Sequence, residues 1–131
     1  MAKKSPSSNS SNAVMIIDDD VLIARLLSHW LMQRGFDVEI AKNGREAIET
    51  LESGAPPRLI LLDVMMPFAD GFEVLTQIRA RKDWEKVPII MLTSKSNETS
   101  VVRAFEAGVD DYVTKPFKPA ELMVRMNRLL K

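Results

Sequence analysis

The sequence predicts a doubly wound α/β fold on a five-stranded parallel sheet. Three observations predict it. Short apolar runs rich in β-branched residues alternate with segments of helical periodicity, and the alternation recurs five times from Ala13 onward. Most of the runs are apolar throughout, as strands are when helices cover both faces of a sheet. Parallel neighbours also need a right-handed crossover that packs back onto the sheet, and the helical segments supply one each time.

Val14-Met15-Ile16-Ile17 is the first strand and stops at three aspartates, Asp18, Asp19 and Asp20. A helix follows: Val21, Leu22, Arg25, Leu26, His29, Trp30 and Gln33 recur at helical spacing, Leu27 and Leu31 widen the apolar stripe, and Gly35 stands where a helix wants a left-handed terminator. Asp37 to Ala41 alternates as a second strand, and Asn43 caps a helix to about Ser53, ended by Gly54 and Pro56-Pro57. Leu59-Ile60-Leu61-Leu62 is the third strand, terminating at Asp63. Gly71 to about Arg81 is the third helix, through Phe72, Val74, Leu75 and Ile78. Val87 to Leu92 is a fourth strand ending at Thr93-Ser94, with Pro88 tolerable near its start. A fourth helix spans about Asn97 to Ala107 and closes at Gly108. Tyr112-Val113 is a short fifth strand before Lys115-Pro116, and a last helix runs from about Pro119 through Leu122, Val124, Met126 and Leu129.

The chain has 131 residues, enough for one sizeable core and too few for two ordinary domains. Residues 1–12, MAKKSPSSNSSN, hold nothing that could cover a core and read as a flexible Ser-rich tail, leaving residues 13–131 as the domain. Eighteen basic residues balance eighteen acidic ones, so no global field exists to hold nucleic acid or an anionic membrane, and neither is expected as a direct partner. Without cysteine there is no disulfide framework and no thiolate metal site. No apolar run approaches the roughly 18 residues of a membrane span, and no secretory signal core is present, so a cytoplasmic location is expected.

In doubly wound sheets the ligand site lies outside the carboxyl ends of the strands, where strand order reverses. That rule gathers Asp18, Asp19, Asp20, Asp63, Thr93, Ser94 and Lys115 onto one rim. Converging carboxylates repel unless a cation neutralises them or they hold protons. With no His or Cys at hand, oxygen ligands suit Mg²⁺ or Mn²⁺ far better than Zn²⁺. A carboxylate at Asp63, held between such a cation and Lys115, could attack a phosphoryl group, with Thr93 as hydroxyl donor to its oxygens.

From Ala13 to Lys131 the chain resembles a response-regulator receiver domain of two-component signalling, a (βα)5 flavodoxin-like fold of the CheY-like superfamily. The resemblance rests on IIDDD after the first strand, LILLDVMMPFADG around the third, MLTSKS at the fourth and DDYVTKPF at the fifth, in order and at near-standard spacing. It implies that Asp63 is the phosphoacceptor and that Asp19 binds Mg²⁺ directly. It implies too that Asp18 acts through a bound water and that Met65 lends its backbone carbonyl to the metal. Thr93 resembles the switch hydroxyl, Lys115 the cation on a phosphoryl oxygen, Tyr112 the switch aromatic and Pro116 the family's cis-proline. A sensor histidine kinase or histidine phosphotransfer protein is the implied donor. An effector or a C-terminal output domain is the implied target, reached through the surface of the fourth helix, fifth strand and fifth helix, where a homodimer could also form. Such a domain is not a conventional enzyme, since it catalyses only its own phosphorylation and autodephosphorylation.

Plainer readings stand beside these. Asp20 precedes the first helix and reads as its cap rather than a metal ligand. His29, the single histidine, falls on or beside the apolar stripe and away from the strand ends, and reads as structural. Tyr112 could be an ordinary buried strand residue, which needs no switch role. An aspartate-nucleophile phosphatase of the haloacid-dehalogenase type also starts from a strand ending in Asp, but needs a second Asp where Met65 stands. A flavodoxin-like carrier needs a phosphate-cradling loop after the first strand, where three aspartates would repel a phosphate. A degenerate receiver used only for protein contacts is disfavoured because every expected chemical position is filled. Met65 and Lys95 flank the expected path of a water attacking the aspartyl phosphate.

Overall fold

The computed structural model describes residues 12–64, 70–94 and 98–130. Five βα units follow one another: β1 (Ala13–Ile17), α1 (Val21–Gln33), β2 (Asp37–Ala41), α2 (Gly44–Ser53), β3 (Leu59–Asp63), α3 (Gly71–Ala80), β4 (Ile89–Thr93), α4 (Glu98–Ala107), β5 (Asp111–Thr114) and α5 (Pro119–Leu130). The strands pair in parallel in the order β2-β1-β3-β4-β5. The order reverses between β1 and β3, so the crevice of a doubly wound sheet opens at the carboxyl ends of those two strands.

Alternate residues of each strand serve opposite faces. Val14, Ile16, Leu59, Leu61, Ile90 and Leu92 join Ala24, Leu27 and Leu31 of α1 and Leu122 and Met126 of α5. Met15, Ile17, Ile60, Leu62, Ile89 and Met91 join side chains of α2, α3 and α4, with Trp84 fully buried among them. Each such side chain contributes roughly 1.5–3 kcal/mol through burial, and both faces are filled, which is why the strands are apolar throughout.

Polar residues set the helix starts. Asp20 accepts the backbone N–H groups of Leu22 and Ile23 at 3.0 and 3.2 Å, as its capping role requires. Asn43 caps α2 through Glu46 N at 2.9 Å, and Asp70 caps α3 through Glu73 N at 3.0 Å. Gly35 ends α1 at φ +91° and Gly108 follows α4 at φ +109°, a conformation that residues with a Cβ rarely adopt.

Several expectations shift. The buried stripe of α1 is Ala24, Leu27 and Leu31, whereas Leu22 and Leu26 are more than half exposed and His29 is exposed rather than on the packed face. Val124 of α5 likewise points to solvent. β4 begins at Ile89 rather than Val87, because residues 81–87 form a tight turn with Val87 N bonded to Trp84 O at 3.1 Å. β5 extends one residue to either side of the expected pair. Asn12, placed in the tail by composition, belongs to the fold: its carbonyl accepts Asp37 N, and its side chain bridges Gly35 O and Arg58. The rest of that tail, residues 1–11, lies outside the described residues.

At the amino ends of the strands Arg79 of α3 uses all five of its N–H donors. Nε and NH2 reach Gly108 O at 2.9 and 2.7 Å, NH1 reaches Glu85 O and Val87 O at 2.7 and 2.8 Å, and NH2 also pairs with Asp110 Oδ2 at 3.0 Å. Asp111, buried at the start of β5, accepts Arg125 at 2.8 Å and Arg128 at 2.9 Å from α5.

Candidate functional site

β1 and β3 end side by side, with Ile17 opposite Leu62, so the residues that follow β1 face the last residue of β3. Asp18, Asp19 and Asp63 meet there, each offering a carboxylate oxygen within 4.8 Å of the others. Asp18 is 0% exposed and Asp63 5%, whereas Asp19 is exposed. Buried carboxylates this close need compensation. β5 supplies part of it: Thr93 O accepts Lys115 N at 2.6 Å, which fixes the start of the β5–α5 loop beside β4. Lys115 Nζ then lies 3.1 Å from Asp18 Oδ2 and 3.5 Å from Asp63 Oδ1. The Lys115–Pro116 peptide is cis.

Burial of Lys115 works against its charge and is the largest single influence on it. The Asp18 hydrogen bond and the fields of Asp18 and Asp63 together outweigh that burial, and the ammonium is held above its ordinary pKa. Asp18 is engaged at both oxygens, since Oδ1 accepts Asp20 N at 2.9 Å while Oδ2 accepts Lys115.

Three carboxylates against one ammonium leave an excess of negative charge in a largely buried crevice. Their all-oxygen donor set fits a hard divalent cation, and Asp19, the exposed member, offers the freest oxygens. Asp20 stays outside the cluster, occupied in capping α1.

Thr93, at the end of β4, is 1% exposed. A side-chain hydrogen bond joins it to Tyr112, which is half-buried against the core. Burial raises the pKa of the Tyr112 phenol, and the Thr93 hydrogen bond partly opposes the rise. Met65 and Lys95 lie outside the described residues, as does the backbone carbonyl expected of Met65.

Sequence reasoning missed two features. One is an apolar groove of about 270 Å³ beside Lys115, lined by Ile23, Leu26, Leu27 and Trp30 of α1 and by Pro116, Phe117 and Pro119. Leu22 and Leu26, more than 60% exposed, extend along the same helix. The signal was the second apolar face of α1. The other is the close approach of Gly71 to the backbone of Asp63: in sequence Gly71 ends the LILLDVMMPFADG run and begins a helix, and neither fact shows the contact.

The chain belongs to the response-regulator receiver family: the family model for the response regulator receiver domain matches residues 14–127. Transcriptional regulatory protein SrrA of Staphylococcus aureus is 44% identical over 122 residues, covering 92% of this chain and 48% of its own length. This chain thus spans about half the length of the curated relatives it matches. Among solved structures, the signal receiver domain of a signal transduction histidine kinase from Syntrophus aciditrophicus aligns with a TM-score of 0.83 at 37% identity, over 92% of this chain and 90% of that one. The receiver domain of sensor histidine kinase PA1611 from Pseudomonas aeruginosa PAO1, solved with a magnesium ion coordinated in the active site cleft, aligns with a TM-score of 0.83 at 28% identity, over 92% of this chain and 98% of that one. Among the described residues no helix is long and apolar enough to cross a membrane.

Proposed function

We propose that this receiver domain takes a phosphoryl group onto Asp63 from a phosphohistidine of a sensor histidine kinase or a histidine phosphotransfer protein. The observation that carries the reading is the buried Asp63 carboxylate, 3.5 Å from Lys115 and within 4.8 Å of the Asp18 and Asp19 oxygens. An Asp63 oxygen attacks phosphorus, the P–N bond to the donor imidazole breaks, and its electron pair returns to the ring nitrogen. Lys115 moves from Asp18 to an equatorial phosphoryl oxygen, and the Thr93 hydroxyl donates to another. Mg²⁺, or Mn²⁺ in its place, held by Asp19, Asp63, the Met65 carbonyl and, through water, Asp18, would offset the charge of the phosphoryl oxygens. Both oxygens of Asp18 already accept hydrogen bonds, which favours Asp19 as the direct ligand.

The donor must bring an imidazole to Asp63, so its own surface must seat next to the rim. The groove between α1 and the segment after Lys115 is apolar and adjoins the site, as a partner helix requires. When Thr93 turns to the phosphoryl group its bond to Tyr112 changes, and Tyr112 sits on β5 between α4 and α5. That α4-β5-α5 surface is the output of the switch, read by an effector, an output domain or a second copy of the chain. The domain turns over no external substrate; it catalyses only its own phosphorylation and hydrolysis of the aspartyl phosphate.

The test is transfer from a phosphorylated kinase or phosphotransfer protein carrying a labelled phosphohistidine. In Mg²⁺ the label should leave the donor and appear on this chain, and chelation should stop it. Label that stays on every donor offered would refute the reading.

A further inference from the structure

Gly71 opens α3, and its backbone is not left-handed, so conformational freedom does not explain a glycine there. Space does. A Cβ at this position would stand 2.5 Å from Asp63 O and 2.8 Å from Val64 Cα, separations that a real Cβ does not reach. Both atoms are backbone, so no side chain can swing aside. Gly71 N also donates to Val64 O at 2.8 Å, which draws the first turn of α3 against the end of β3.

We infer that Gly71 is a positioning residue for the phosphoacceptor: its missing side chain lets α3 hold the backbone of Asp63 and Val64 where the Asp63 carboxylate meets Lys115 and the metal-binding oxygens. The inference rests on the phosphoacceptor reading of Asp63. Any side chain at position 71 forces a choice between moving α3 and moving the strand end. α3 is anchored by Val74, Leu75 and Ile78, each at most 1% exposed. The strand end is held less firmly: the β1–β3 register stops at Leu62, and beyond it the described backbone bonds run to β4 on one side, as from Val64 N to Leu92 O at 3.1 Å, and to Gly71 itself through Val64 O. The strand end should therefore yield, carrying Asp63 with it. The effect falls on the reaction while the core stays intact.

The experiment compares the wild-type chain with Gly71→Ala, Gly54→Ala and the double variant Gly71→Ala/Val74→Ala, each checked for folding by circular dichroism. Gly54→Ala is the control, since its Cβ would meet Thr50 O at 3.0 Å, in a helix cap outside the site. Rates of phosphorylation by a small phosphodonor are measured against donor concentration in saturating Mg²⁺, with Mg²⁺ affinity measured separately by titration. Wild type and Gly54→Ala should react alike. Gly71→Ala should lose at least tenfold in the maximal rate and bind Mg²⁺ more weakly, while remaining folded. Adding Val74→Ala loosens the anchor of α3, so it should restore part of the rate while lowering stability further; a purely structural glycine would give a double variant worse in both. Equal rates and Mg²⁺ affinities for wild type and Gly71→Ala would overturn the inference. So would a Gly71→Ala chain that stays unfolded even in a stabilising osmolyte, because the glycine would then serve the whole fold. Failure of the wild type itself to take phosphate would count against the phosphoacceptor reading instead.

Discussion

Lys115 Nζ and Asp18 Oδ2 stand 3.1 Å apart, the Asp18 side chain without exposed surface and the Lys115 side chain only 16% exposed. Removing one partner of such a pair strands the other, here together with Asp63. Lys115→Met should lower stability in metal-free buffer by about 3 kcal/mol, measured by urea denaturation, and should slow phosphorylation. Saturating Mg²⁺ should recover part of the stability and little of the rate, since Lys115 also contacts the transferred group in this account.

The raised pKa of Lys115 fixes the sign of its pH dependence. A cation whose folded pKa exceeds its unfolded value stabilises fully below the unfolded value, about 10.4, and ceases to do so as pH rises through the folded one. Urea midpoints should therefore fall more steeply above about pH 10 in the wild type than in Lys115→Met. Parallel curves would contradict the pairing.

Binding of a divalent cation to the folded state alone stabilises by RT ln(1 + [L]/Kd), roughly 2.7 kcal/mol at a hundredfold excess over Kd. Mg²⁺ should raise the melting temperature of the wild type accordingly. Asp19→Asn, at an exposed position, should change metal-free stability by less than about 0.5 kcal/mol yet remove most of the Mg²⁺-dependent rise. A full rise in that variant would exclude Asp19 as a ligand.

Asp111 reports on the far end of the sheet. Its burial pushes the carboxyl upward, but the Tyr112 N–H and the guanidinium groups of Arg125 and Arg128 outweigh that, and its pKa is lowered. The stability this gives is present above the ordinary value, about 3.9, and is lost as pH falls through the lowered one. Asp111→Asn should thus be less stable than wild type at neutral pH, with the difference shrinking below about pH 4. Arg79→Met, which strands three backbone carbonyls at the same end of the sheet, should cost roughly 2–4 kcal/mol and leave the phosphorylation rate of the folded protein unchanged.

The groove beside Lys115 separates two kinds of donor. Trp30→Ala and Leu26→Asp should slow transfer from a phosphohistidine protein tenfold or more, as loss of a docking anchor does. Reaction with a small phosphodonor should be unaffected. Equal slowing with both donors would mean that the substitutions disturb the site itself.

Much of this was legible in the chain. Strands buried on both faces announce themselves by unbroken apolar runs, and the rule that sites gather at carboxyl ends brings Asp18, Asp63 and Lys115 together across 97 residues of sequence. What stayed hidden has physical reasons. α1 carries two apolar faces, and periodicity cannot say which meets the sheet: Ala24 and Leu27 do, while Leu26 lines the groove. Arg79 binds mainly to backbone carbonyls, which no pattern of side chains encodes. Gly71 depends on how closely two segments of main chain approach, a distance that exists only once the fold has formed.

The central claim is that Asp63 accepts phosphate in this site. Its most direct test is the intact mass of the chain after incubation with Mg²⁺ and a small phosphodonor, beside Asp63→Asn treated alike. The account predicts a gain of one phosphate on the wild type, stable in acid, labile in base, prevented by chelation and absent from Asp63→Asn. The same gain on Asp63→Asn, or no gain on the wild type with any donor, would contradict it.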